Sequence, residues 1–132
     1  MAFVVLEYRK LTAWQRSMEL ATVLYRFANL LPAHEEYGLK SQIRRAAVSI
    51  PSNIAEGCSR ETIPAAIHFL YISLGSLSEI ETQIELSINL GYAQPNLELN
   101  NLVKDVRGLL FGLIKHLKAK NDDKESPYFT TL

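Results

Sequence analysis

Residues 44–57 read RRAAVSIPSNIAEG, and the fold turns on whether this run is one helix or two pieces parted at Pro51. Ile43, Ala46, Ala47, Ile50 and Ile54 recur at helical spacing across the proline and continue the apolar line begun at Leu39. The period therefore predicts one helix from about Tyr37 to Glu56, ended by Gly57. Proline lacks a backbone N–H and deprives the Ala47 carbonyl of its usual donor, so this helix is expected to kink near Pro51. Ser49 and Ser52 are expected to bond the freed backbone groups, and Asn53 with Glu56 forms an N-x-x-E pattern suited to restarting the last turn.

Three further segments carry the same period. Thr12 with Gln15 reads as a capping box opening a first helix that closes at Leu31 and Pro32. Trp14, Met18, Ala21, Tyr25 and Ala28 form one apolar stripe on it, and Leu20, Leu24, Phe27 and Leu31 a second beside it. A third helix begins near Pro64 and ends at Gly91; a fourth opens near Pro95 or Asn96. In the fourth, Leu99, Leu102, Val106, Leu109, Leu113 and Leu117 make a bundle seam. No strand alternation is sustained beyond the short VVLEY start. With connections of about four to seven residues, the fold class is all-α, an antiparallel up-down-up-down four-helix bundle. Its expected limits are residues 11–120, with an N-terminal extension over 1–10 and a mobile or strapping tail over 121–132.

Composition narrows the function classes. A chain of 132 residues suits one folding unit. Its 14 basic and 14 acidic residues cancel, which argues against an avid, non-specific polyanion binder. The single cysteine, Cys58, excludes an intramolecular disulfide. The N-terminus resembles neither a signal peptide nor a membrane span, so a cytoplasmic protein without membrane association is expected.

The helix faces point to self-association. Ser41, Arg45, Val48 and Ser52 fall opposite the core stripe of the second helix, where small residues let another helix approach. Residues 62–78 hold no Asp, Glu, Lys or Arg, and a helix uncharged all round is usually covered all round. A homo-oligomer follows, with Ser41, Val48, Ser52, Ser73 and Ser76 as candidate interface residues. Charge is also divided along the chain: residues 1–60 carry eight basic and five acidic side chains, and residues 61–95 carry four acidic and none basic. Arg44 is expected to turn toward Glu79 and Glu81, and Arg45 outward, free for phosphate.

Catalytic constellations are not evident. A di-metal bundle needs Glu-x-x-His steps, but Leu31, Ala65 and Leu113 stand three before His34, His68 and His116. Cys58, Ser49 and Ser52 have no base fixed against them by spacing, and AEGCSR is not a phosphate loop. No cofactor and no metal site are expected. Glu81 shares the line of Leu74, Leu77, Ile84 and Ile88, so if it faces inward it must meet a cation.

The runs YGLKSQIRRAAVSIPSNIAEG (37–57) and GSLSEIETQIE (75–85) closely resemble the four-helix bundle family named for 23S rRNA intervening sequences. The accessory variability proteins of diversity-generating retroelements look similar. The matching signature residues are Gln42, Arg44, Arg45, Ser49, Pro51, Asn53, Glu56, Gly57, Gly75, Glu79 and Glu81. The resemblance implies a bacterial bundle that assembles as a ring, typically a pentamer; in the retroelement branch it implies a basic outer surface that binds nucleic acid and a reverse transcriptase. Here the pI is 6.8, so a basic band would need Arg9, Lys10, Arg16 and Arg26 of successive subunits, with Arg45 beside them. The expected function is a non-enzymatic oligomeric bundle contacting nucleic-acid backbone, RNA or DNA, through those residues. The alternative is an oligomeric scaffold for another protein.

Overall fold

The computed structural model describes residues 6–123. Four helices account for most of them: α1 (Thr12–Ala28), α2 (Leu39–Cys58), α3 (Ile63–Asn89) and α4 (Leu97–Asp122). Short 3-10 turns at Tyr8–Lys10 and Ala33–Glu35 precede α1 and α2. Both α1 and α3 pack on α2 and on α4, and the α2–α3 contact is the most extensive. The result is a packed all-α bundle. Most of the expected tail lies outside the described residues.

Helix boundaries follow local hydrogen bonding. Asn96 caps α4 by accepting from the Leu99 N–H at 3.0 Å, and Thr62 caps α3 by accepting from Ala65. At the end of α3, Gly91 takes a φ of +79° while Tyr92 N–H reaches Ser87 O and Gly91 N–H reaches Ile88 O, the paired closure that favours glycine. The expected capping box of α1 does not form. Thr12 is already helical, Leu11 occupies the cap without a side-chain bond, and Gln15 instead donates to the Arg9 carbonyl at 2.8 Å. Helix α1 stops at Ala28, before the expected Leu31, so the first connection is longer than the spacing of Pro32 implied.

Helix α2 runs unbroken through Pro51 and one residue beyond Gly57. Asn53 does not restart a turn. Its amide donates to the Ser49 carbonyl at 2.8 Å and to Ser49 Oγ at 2.9 Å, and Ser49 Oγ meets Ser76 Oγ at 2.7 Å. Ser73 Oγ donates to the Ile50 carbonyl at 2.8 Å. The Ser49 and Ile50 carbonyls just before Pro51 thus gain side-chain donors from Asn53 and from α3; these are not the Ala47 carbonyl that the proline deprives of its donor, and Ser52 is exposed. Gly57 does not end the helix; it lies buried where α2 meets α3, and a Cβ there would stand 2.9 Å from the Ala66 carbonyl oxygen.

Leu20, Leu24, Ile43, Ile50, Ile54, Ile63, Leu70, Leu77, Ile80, Leu99, Leu110 and Leu117 are almost wholly buried. Each such side chain contributes about 1.5–3 kcal/mol by leaving water, before ordering costs. The seam of α4 turns slightly from the expected line: Leu110 and Ile114 are buried, and Leu109 and Leu113 sit at its edge. Helix α3 is long and apolar enough to cross a membrane by composition, yet Leu70, Leu74, Leu77, Ile80 and Ile84 are core residues of the bundle.

Candidate functional site

The first apolar stripe of α1 lies mostly outside the core, with only Ala28 of it fully buried. Met18 and Tyr25 are each 43% exposed, and with Trp14 and Ala21 they form one wall of a groove of about 630 Å³ between α1 and α2. Val48, Pro51, Ser52 and Ala55 form the other wall, and Tyr8 and Arg26 complete it. Val48 is 46% exposed. Sequence reading missed Tyr8, Pro51 and Ala55 as groove residues and left open which of the two α1 stripes is buried. Two parallel stripes on that helix were the available signal, since a helix at the edge of a bundle buries only one broad face.

Cations stand around this groove. Arg9 stacks over the Tyr8 ring at 4.7 Å, and Tyr8 packs edge-on against Trp14 at 5.3 Å. Arg9, Lys10, Arg26 and Arg45 are exposed and carry no ion pair among the described residues. Arg45 shares the outer stripe of α2 with Ser41, Val48 and Ser52, all exposed. Arg16 departs from the expected phosphate set. Its guanidinium lies 2.9 Å from Asp105 on α4 and 2.6 Å from Glu19, and these carboxylates, Asp105 foremost, raise its pKa.

Arg44 also departs from expectation. It bonds Glu36 at 3.1 Å and Asn29 at 3.2 Å rather than Glu79 or Glu81, because its side of α2 faces the α1–α2 connection. Glu81 is exposed and pairs with Arg107 of α4. Lys40, almost buried, lies 3.1 Å from Glu36, and Lys40 first and Arg44 second hold that carboxyl below its ordinary pKa. Nearby, Glu35 accepts from the Leu39 N–H at 3.0 Å and from Tyr92 OH at 2.9 Å, and both bonds lower its pKa. Glu35 thereby caps α2 and ties the first connection to the last.

Ser73 and Ser76 do not reach an interface. Both are buried inside the bundle by the bonds to Ile50 and Ser49, so the small-residue stripe of α3 serves the α2–α3 contact. Gln42, Gly75 and Glu79 instead line a second, more polar groove between α2 and α3, of about 450 Å³. Gln83 also lines it, and its Oε1 is buried without a hydrogen-bond partner among the described residues.

Nothing in these two grooves arranges nucleophile, base and orienting group. Cys58 is buried, and desolvation pushes its thiol pKa up to about 12, well away from a reactive thiolate. Among the described residues no cluster of three His, Cys, Asp or Glu side chains is placed to hold a metal ion.

Residues 9–112 match the family described as 23S rRNA-intervening sequence protein. The chain belongs to that family. Among solved structures it is similar to a protein of unknown function from the S23 ribosomal protein family of Bacteroides thetaiotaomicron VPI-5482. The identity is 27% and the TM-score 0.72, over 79% of this chain and 99% of that one. No curated protein matches. Of the signature residues, Ser49, Asn53 and Gly57 lie along the α2–α3 contact, Gln42, Gly75 and Glu79 around the polar groove, and Pro51 in the wall of the α1–α2 groove.

Proposed function

We propose that the protein is a non-enzymatic, self-assembling bundle that docks through its α1–α2 groove and contacts nucleic-acid backbone with the free cations of that side. The carrying observation is the groove itself: an apolar floor left open between Trp14, Met18, Val48 and Ala55, with unpaired Arg26 in its lining and Arg9 beside Tyr8. Contiguous exposed apolar surface of this kind marks an interaction site. The helices run up-down-up-down in this reading, and the bend expected at Pro51 shapes the α2 wall of the groove. The assembly is a ring, with five subunits as the number implied by resemblance, working in the cytoplasm where Cys58 stays reduced.

Phosphate contact rests on Arg9 and Lys10, which project beside the groove on the 3-10 turn, with Arg26 and Arg45 on its rim. The family description and that of the Bacteroides relative, each with a ribosomal term, support the same reading. Tyr8 and Trp14 already pack on each other and Arg9 on Tyr8, so the contact is read as one to backbone rather than by base stacking. A structured RNA titrated at two salt concentrations tests it: affinity falls with a slope of about −0.7 to −0.9 per phosphate neutralised. Arg9→Glu with Lys10→Glu is expected to weaken binding at low salt while leaving light scattering unchanged. Equal binding by wild type and variant refutes the phosphate role. The second reading, a scaffold for another protein, is favoured by the apolar floor alone and predicts partner capture with little salt dependence.

A further inference from the structure

Away from the α1–α2 groove, the outer face of α3 carries an exposed stripe of its own. His68, Ile72, Gly75, Glu79, Thr82 and Leu86 are all exposed and follow one another along α3 in alternating steps of four and three. That is the spacing of a seam presented to another helix. Ile72 is 38% and Leu86 44% exposed, and a Cβ added at Gly75 would meet nothing within 4 Å. The stripe carries Glu79 and no lysine or arginine, and no basic residue occurs anywhere in positions 61–95.

Helix α3 cannot fold back to fill the groove of its own bundle, because α2 lies between them and packs on both α1 and α3. Resting on the reading of the groove as the docking surface, we infer that its occupant is the outer α3 stripe of a second copy, so that subunits pair head to tail. Charge decides between this and groove against groove. An isologous contact brings together two grooves whose lining holds Arg26 and no carboxylate, so the cations of each meet no anion of the other. The α3 stripe sets Glu79 against them instead. Two groove walls with seam-spaced apolar residues receive a third helix most closely where that helix is smallest, which is at Gly75. A heterologous contact leaves one groove and one stripe free on each added subunit, and so closes a ring or continues.

Light scattering of purified chain at micromolar concentration tests the pairing through four variants. Glu79→Lys alone, and Arg26→Glu with Arg45→Glu, each place like charges across the contact and are expected to weaken assembly about tenfold or more. The chain carrying all three changes exchanges the signs and is expected to regain assembly. Gly75→Met is expected to block docking while its helical circular dichroism matches wild type, since the added side chain meets nothing in its own bundle. Assembly that tolerates Glu79→Lys and Gly75→Met yet is lost with the groove arginines overturns the head-to-tail pairing while leaving the groove as a docking surface. A wild type that stays at 14.9 kDa overturns both.

Discussion

Replacing Gly57 by alanine sets two effects of known sign against each other at the tightest point of the α2–α3 contact. Helix propensity favours alanine over an interior glycine by about 1 kcal/mol. Packing opposes it, because the new Cβ would stand 2.9 Å from the Ala66 carbonyl oxygen and 3.2 Å from Phe69 Cβ. Carbon contacts relax only from 3.4 Å outward, and the nearer obstacle is backbone, which no rotamer change moves. The two helices must part by about half an ångström, and overpacking of this sort costs about 1–3 kcal/mol. The balance is a loss of about 1 kcal/mol. Gly75→Ala is the matched control, since that glycine is also helical but open, so only propensity acts and stability rises by about 0.5–1 kcal/mol. Urea unfolding of dilute protein, followed by circular dichroism, reads both as midpoint shifts at constant slope. If Gly57→Ala is more stable than wild type, or both variants shift the same way, the close-approach argument fails.

Ser73→Ala removes the donor to the Ile50 carbonyl, buried beside Pro51, and is expected to cost about 0.5–1.5 kcal/mol in the same urea assay. Cys58 in the native protein is expected to resist iodoacetamide at pH 8 and to be alkylated at the rate of unfolding, because burial pushes its thiol up to about 12; rapid native labelling counts against this burial. Acid is expected to destabilise the bundle through Glu35 and Glu36. Both carboxyls titrate below their ordinary 4.5 when folded, Glu35 through the Leu39 N–H and Glu36 through Lys40, so their contribution is present above that pH and lost as pH falls through the lowered values. Glu35→Gln should flatten melting temperature against pH below about 5, and an unchanged profile contradicts the assignment.

Four helices were legible because each carries a sustained 3.6-residue period and Pro64, Asn96 and Gly91 mark ends that hold in the structure. The period was less informative about which of two apolar stripes on α1 is buried. Leu20 and Leu24 have bundle partners, whereas Met18 and Tyr25 face open space, and that depends on how many helices surround α1 rather than on α1 itself. Arg16 and Arg44 failed as expectations for a related reason. Their partners, Asp105 and Asn29 with Glu36, lie far along the chain or in a connection whose path the spacing did not define. Ser73 and Ser76 looked like an interface because small residues permit close approach, and they do, though to α2 within the same chain.

Zero net charge describes the chain as a whole and says little about any one face. Internal pairs absorb Arg16, Lys40, Arg44, Arg60 and Arg107; among the described residues this leaves Arg9, Lys10, Arg26 and Arg45 without an ion pair on the α1–α2 side, Lys104, Lys115 and Lys118 exposed on α4, and Glu79 on the α3 stripe. If head-to-tail docking occupies Arg26 and Arg45, each subunit retains Arg9 and Lys10 for phosphate. Two exposed cations bind a polyanion weakly, so useful affinity must come from repetition around the assembly, where each further contact is made at high effective concentration. Assembly and nucleic-acid affinity are therefore coupled in one direction. A chain made monomeric by Glu79→Lys gains positive charge and yet binds RNA less well than wild type, the opposite of what charge alone dictates.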